Sequence, residues 1–367
     1  MQLNVLRARG WRNLRPSVFC PGPRATVVWG ENGQGKTNLL EAVYFLLTFR
    51  SFRTNAVADL LGWEEPGLKL VAEVEGGGLH RRLEAELQPG RKGFKLDGKG
   101  VRRDSASLAP FGLVLFVPED LLLPKAAPAA RRRFVDLAIF GTDRSYYREA
   151  AVYQKLLKSR NAALKLGGDP NLLDSYDLQL GAAGARLVSR RRKMVDALAP
   201  RLARVFSEIH ADLGATLAYR GHESLRGVSS EEDLVAALTD GLRARRSLDL
   251  RRGFTGYGPH TDDLELGLKG HLARDHGSQG QLRSLVLALK LAELELLTEA
   301  LGEPPMLLLD DVASELDGLR RRRLFETIAA LPGQSLITVT DPDLLPQLPG
   351  RQDVQLVGGS VMVPGQA

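Results

Sequence analysis

The sequence predicts an α/β nucleotide-binding domain split by a largely helical, basic insertion. Three observations predict it: an apolar run closed by a glycine-rich turn that opens a helix at 25–48, an apolar run ending in two carboxylates at 306–311, and a long Ala-, Leu- and Arg-rich segment between them. The chain of 367 residues is long enough for two or three domain-sized units, or for one elaborated domain with an insertion.

Composition narrows the function classes. Hydrophobic residues at 44% and charged residues at 26% are ordinary for a globular protein, and no apolar run is long enough to span a bilayer. The single cysteine, Cys20, excludes an internal disulfide and a cysteine-based metal cluster; it is expected as a small buried hydrophobe in a cytoplasmic protein. The net charge is +6, unevenly placed. From Leu121 to Gly253 there are 24 Lys and Arg against 15 Asp and Glu, a net of +9, whereas the rest carries −3. A basic middle on a near-neutral remainder points to a polyanion-binding face, with a solvated helix surface as the plain alternative.

In chain order, "MQLNVLRARGWRNLRP" alternates like a strand and lacks the features of a signal peptide, so it reads as the mature start. Strands are predicted at 3–8, 25–29 and 68–74, and "KLDGKGV" at 95–101 as a hairpin with a type I′ turn. After the strand in "GLVLFVPEDLLLP", which ends at Pro118, the pattern becomes helical from about 121 to 253. Breaks are expected at "GGDPN", 167–171, and at Gly181 and Gly184. No heptad repeat runs unbroken through the segment. From Phe254 strands and helices alternate again: "DDLELGL", a helix after Gln281, "MLLLD", a helix from about Leu319 and the strand "SLITVT". The predicted organisation is therefore residues 1–120 with 254–367 as one α/β lobe and 121–253 as the helical lobe.

The chemistry is concentrated in two motifs. "GENGQGKTN", Gly30, Glu31, Asn32, Gly33, Gln34, Gly35, Lys36, Thr37 and Asn38, matches the P-loop pattern in its required setting, after the strand "ATVVW" and before the helix "TNLLEAVYFLL". Glycines let backbone N–H groups turn around phosphates, and the helix N-terminus favours negative charge. Lys36 is expected to reach the β- and γ-phosphates of ATP and Thr37 the Mg²⁺. In "PPMLLLDDVASELD", 304–317, a buried parallel strand delivers Asp310 and Asp311 to the carboxyl edge of the sheet. Asp310 is the expected Mg²⁺ partner of Thr37, leaving Asp311 to polarise an attacking water. A third stretch, "SQGQ" with Ser278, Gln279, Gly280 and Gln281, opens a long apolar helix. It is either a second anion-binding helix terminus or a simple N-cap.

Together these motifs, in this order, with "GPHTDD" at 258–263, "SQGQLRSLVLALKLAE" at 278–293 and "LLLDDVASELD" at 307–317, resemble the RecF family of DNA-repair ATPases. "RNLRP" at 12–16, "RSFRT" at 50–54, "FVPEDL" at 116–121, "RRRFVD" at 131–136 and "KSRNAALK" at 158–165 extend the resemblance over essentially the whole chain. It implies an ABC-type ATPase head, with a mixed sheet and helices, split by a helical lobe. In such heads the signature of one subunit completes the nucleotide site of the other, so Ser278 and Gly280 would act in trans and Asp317 would lie near the two-fold axis. The resemblance further implies an ATP-dependent homodimer that clamps DNA at gaps and single-strand/double-strand junctions and helps RecO and RecR load RecA.

Two departures stand out. Asp311 occupies a position where most such sites have Glu, which predicts slow turnover, and the strand "SLITVT" leads to Thr340 where transporter ATPases have a switch histidine. Thr340 is a candidate γ-phosphate contact or a simple cap, while His260 reads as a structural or interface residue and not a catalytic base. The DNA candidates are Arg50 and Arg53; Arg131, Arg132 and Arg133; and Arg186, Arg190, Arg191, Arg192 and Lys193, all expected to touch phosphate without sequence preference. Arg12 and Asn13 are weaker nucleotide candidates and Glu119 a candidate ATP sensor. Three rivals fit less well. A transporter subunit does not need the 242 positions between Lys36 and Ser278; a small-molecule kinase leaves "SQGQ" without a role; an SMC-type architectural head needs a longer coiled coil.

Overall fold

The computed structural model describes residues 1–362 except 55, 64, 89, 103–111, 211, 212, 331 and 332. In chain order the strands are β1 (Gln2–Arg9), β2 (Ser17–Phe19), β3 (Ala25–Trp29), β4 (Leu68–Gly76), β5 (Leu79–Gln88), β6 (Arg91–Leu96), β7 (Lys99–Gly100), β8 (Leu113–Phe116), β9 (Ala215–Arg220), β10 (Asp263–Leu268), β11 (His271–Leu272), β12 (Met306–Asp310), β13 (Ser335–Val339), β14 (Arg351–Val357) and β15 (Ser360–Met362). The helices are α1 (Lys36–Thr48), α2 (Pro128–Thr142), α3 (Tyr146–Lys165), α4 (Pro170–Ile209), α5 (Glu231–Ala244), α6 (Arg246–Arg252), α7 (Ala273–His276), α8 (Gln279–Leu301), α9 (Val312–Glu315) and α10 (Gly318–Ala330).

The chain forms two compact units, Met1–Leu121 with Val286–Ala367, and Leu122–Leu285. The first holds two six-stranded sheets. One is antiparallel, in the order β2-β1-β4-β5-β6-β7; the other, β15-β14-β3-β13-β12-β8, is parallel except for the terminal β14–β15 hairpin. Asp97 and Gly98, both at positive φ, make the expected turn between β6 and β7. The core joins side chains of α1 to those of both sheets. That explains why α1 is apolar nearly all round: Leu39, Leu40, Val43, Phe45, Leu46 and Leu47 are each 0–1% exposed. Their burial stabilises the unit by on the order of 10–15 kcal/mol.

The second unit is built on α4, a single helix of 40 residues against which α2, α3 and α5 pack. Here the structure corrects two expectations. Gly181 and Gly184 do not break α4; they let its neighbours close in, since a Cβ on Gly181 would lie 2.3 Å from Thr239 Oγ1. The unit also reaches Leu285 rather than ending at 253, because β10 pairs with β9 along its whole length and Arg131 forks onto Asp263. It therefore carries a three-stranded antiparallel sheet, β11-β10-β9, and the division from the first unit falls within α8. A third correction concerns Cys20, which is exposed just past β2. Alternation places Phe19 in the core and turns its neighbour outward. Among the described residues no helix is long and apolar enough to cross a membrane.

Candidate nucleotide site and the family it defines

Parallel register builds the site. β3 pairs with β13 and β13 with β12, setting Asp310 beside Thr338 at the strand ends where β3 also gives way to the P-loop. Within the loop Gly30 and Gly35 sit at φ 152° and 105°. A Cβ on Gly30 would lie 2.5 Å from the Leu356 carbonyl oxygen and one on Gly35 2.8 Å from Asn13 Oδ1, so both positions exclude side chains on conformation and on space. α1 begins directly after Gly35 and no side chain caps it, which leaves its first N–H groups facing the loop. Lys36 Nζ donates to the carbonyls of Gly30 at 2.6 Å and Glu31 at 2.9 Å. Burial lowers the Lys36 pKa, against the opposing pull of Asp311 and Asp310.

Thr37 Oγ1 donates to Asp310 Oδ1 at 2.9 Å, bringing together two residues 273 positions apart. Asp310 is 6% exposed, and burial raises its pKa despite hydrogen bonds from Thr338 and Thr37; Asp311 and Glu119 add to the rise. Thr338, absent from the sequence-predicted site residues, carries the local architecture. Its hydroxyl donates to Asp310 Oδ1 at 2.8 Å and accepts from the Asp311 N–H at 2.9 Å. Thr340 lies one residue beyond β13 and bonds neither aspartate. The signal for Thr338 was a hydroxyl inside an otherwise apolar buried strand. Asp311 adopts φ 50° at the start of α9 and accepts from Ser314 Oγ at 2.6 Å. Asp317 accepts from the Arg320 N–H at 3.0 Å and pairs with the Arg320 side chain, holding the first turn of α10.

Asn13 and Arg12 brace this loop. Asn13 Nδ2 donates to the Gly33 carbonyl at 2.9 Å and its Oδ1 accepts from Asn38 Nδ2 at 2.6 Å. Gln34 accepts from the Gly358 and Gly359 N–H groups of the β14–β15 turn, while Glu31 and Asn32 are exposed. Arg12 forks onto Glu41, a fully buried carboxylate in α1 that also takes a hydrogen bond from Ser51 Oγ and has Arg53 3.8 Å away. Glu41 was missed; a lone acid in so apolar a helix was its trace in the sequence.

In the second unit, Ser278 Oγ accepts from the Gln281 N–H at 3.2 Å and Gln281 Oε1 accepts from the Ser278 N–H at 2.9 Å. This reciprocal capping box starts α8 and leaves Gln279 exposed and Gly280 half-buried at the helix tip. The basic candidates divide sharply. Arg131, 4% exposed, pairs with Asp263; Arg191, 6% exposed, pairs with Asp136 and donates to the Pro259 carbonyl. Arg190 holds Asp143 and Glu149, Arg192 donates to the Leu225 and Val228 carbonyls, and Arg132 to that of Asp262. All five hold partners within the chain, but only Arg131 and Arg191 are buried; Arg132, Arg190 and Arg192 remain half-buried. Arg53 donates to Asn38 yet stays exposed, as do Arg133, Arg186 and Lys193, and Arg50 is half-buried. His260 is structural, its Nδ1 bonded to the Tyr153 hydroxyl at 2.7 Å and its Nε2 to the Thr255 carbonyl at 2.9 Å.

A P-loop facing strand-end aspartates, set between an antiparallel sheet and a parallel one, defines an ABC-type ATPase head of the SMC-like class. The model of the RecF/RecN/SMC N terminal domain matches residues 2–352. An Smc head solved with the C-winged helix domain of ScpA aligns over 98% of this chain and 96% of its own at a TM-score of 0.58 and 15% identity, a likeness of fold. Within that class the chain belongs to the RecF family. It is 45% identical over 347 residues, 94% of each chain, to the DNA replication and repair protein RecF of Anaeromyxobacter sp. (strain Fw109-5). The structure of the recombination mediator protein RecF-ATP in the RecFOR pathway aligns at a TM-score of 0.90 and 30% identity, over 98% of this chain and 96% of the other.

Proposed function

We propose that this chain binds ATP and Mg²⁺ at the P-loop, closes into an ATP-dependent homodimer around DNA, and opens again on slow hydrolysis. The observation that carries the reading is the Thr37–Asp310 contact: a hydroxyl and a carboxylate from opposite ends of the chain converge at the end of the P-loop strand's sheet. Their oxygens are hard donors suited to Mg²⁺, which takes few protein ligands and completes its shell with phosphate and water. A buried carboxylate whose ionisation is opposed by burial is also what a cation there would relieve. The metal would neutralise charge on the phosphates. Lys36 would turn from the loop carbonyls to the β- and γ-phosphates, and the uncapped N-terminus of α1 would hold the α- and β-phosphates.

Asp311 is the water-orienting base in this reading, supported by its N–H bond to Thr338 and its backbone turn. Its side chain is one methylene shorter than Glu and already accepts from Ser314, which supports slow turnover. Ser278 and Gly280, at the tip of a capped helix, supply donors for the γ-phosphate of a second copy. Release from DNA then follows hydrolysis. In this reading the protein works in the cytoplasm at gaps and single-strand/double-strand junctions, with RecR and RecO, towards loading of RecA.

Light scattering tests it. With ATP the mass of the wild type is expected to double, and Ser278→Arg to remain monomeric while still binding ATP. Ser278→Asp separates the cap from the phosphate role: aspartate caps as well as serine, so stability should hold while dimerisation is lost to charge repulsion. A wild-type mass indifferent to ATP, with and without gapped duplex, would refute the sandwich and leave Ser278 as a cap alone.

A further inference from the structure

The arginines singled out from sequence in the second unit are mostly spent inside it, so its excess positive charge has to be sought elsewhere. α3 buries Tyr146, Tyr153, Leu157, Arg160 and Leu164 on one side. At 100° per residue, the outward half of the helix holds Arg148, Lys155 and Lys158 among the uncharged Ala151, Val152, Ser159 and Ala162, and Lys165 lies at its margin. All four of these cations are exposed, and among the described residues none pairs with a carboxylate. The one acid of α3, Glu149, is turned away onto Arg190.

A merely solvated helix face mixes both signs, because unrelieved like charges at this spacing repel. All the charge on this face is of one sign, and the residues between its cations are small or uncharged, Ala151, Val152, Ser159 and Ala162. We infer that the outward face of α3 is a docking surface for the sugar-phosphate backbone of duplex DNA. Rising about 1.5 Å per residue, Arg148 to Lys165 spans about 25 Å, the axial length of roughly seven base pairs of duplex. Four flexible cations over that length read charge and spacing, not bases, so binding is independent of sequence. The surface deepens the DNA reading proposed above and rests on it.

The test is the salt dependence of binding to a fluorescein-labelled gapped duplex, with ATP present, for three proteins: wild type, Arg148→Gln/Lys155→Gln/Lys158→Gln/Lys165→Gln, and Arg186→Gln/Lys193→Gln. The fourfold variant is expected to fold as the wild type by circular dichroism, to bind ATP equally, to weaken at least about tenfold at moderate salt, and to lose about three to four from the slope of log K against log salt. As a charge-preserving control, Lys155→Arg/Lys158→Arg is expected to bind as the wild type does, with the same salt slope. An unchanged slope in the fourfold variant, with the loss carried by the α4 pair instead, overturns the assignment to α3. A wild type that shows no salt-dependent binding at all overturns the DNA reading itself, a result distinguishable from the first.

Discussion

Asp310 shows how one residue serves the site at a cost to the fold. Its carboxylate is held by Thr37 and Thr338, yet burial, Asp311 and Glu119 together push its pKa upward. A carboxyl whose folded pKa lies above its unfolded value of about 3.9 costs nothing below that value, where it is protonated in both states. As pH rises through the folded pKa, the charge is forced into a buried place and stability is lost. Asp310→Asn should therefore raise the thermal midpoint, measured without nucleotide at pH 8, by about 2–4 °C, with the gain shrinking towards pH 5. ATP hydrolysis by the same variant should fall to background. A midpoint lowered at pH 8 would mean that the hydrogen bonds to the carboxylate outweigh its desolvation.

At the scale of elements, α4 makes the case that space can overrule propensity. Alanine is the better helix former by about 1 kcal/mol. At Gly181, however, its methyl would meet Thr239 Oγ1 at 2.3 Å, the Thr239 nitrogen at 3.2 Å and the Val235 carbonyl oxygen at 3.3 Å, so α5 would have to retreat. Gly181→Ala is expected to destabilise by about 1–3 kcal/mol in urea unfolding, whereas Gly214→Ala, with nothing within 4 Å, should be near neutral. A stabilised Gly181→Ala would show that α4 and α5 are less tightly packed than these distances require. α8 holds a further fixed point in the first unit: Lys290 donates to the Leu115 carbonyl at 2.8 Å and lies 3.4 Å from Asp120 and 3.3 Å from the buried Glu293. Burial opposes the charges of Lys290 and Glu293, so Lys290→Met alone, which strands Glu293, should cost more than replacing both residues with apolar ones.

For the whole molecule, the proposed function links nucleotide and assembly by mass action. ATP at 100 times its dissociation constant stabilises the folded state by about 2.7 kcal/mol, and a dimer adds a dependence on protein concentration. With ATP the thermal midpoint should rise as the protein is concentrated; without it, or in Lys36→Ala, the midpoint should be independent of concentration. A midpoint that rises with ATP yet ignores concentration would place the nucleotide in a monomer and detach binding from dimerisation.

The sequence by itself determined what depends on local pattern. The P-loop, the apolar strand ending in Asp310 and Asp311, and the Ser278 cap were legible because each is a short run whose spacing dictates its backbone, and the alternation of strands and helices was legible because burial imposes periods. Tertiary structure decided what depends on neighbours far along the chain. The bond of Thr338 to Asp310 was not legible, because only strand register puts that hydroxyl beside the carboxylate. Gly181 and Gly184 lie inside a helix because α5 and other neighbours press against them. Arg131 of α2 and Arg191 of α4 turned inward, while Arg148, Lys155, Lys158 and Lys165 of α3 stayed outside. A cation's charge is written in the sequence, but whether that charge meets a carboxylate or the solvent is settled only when remote segments pack together.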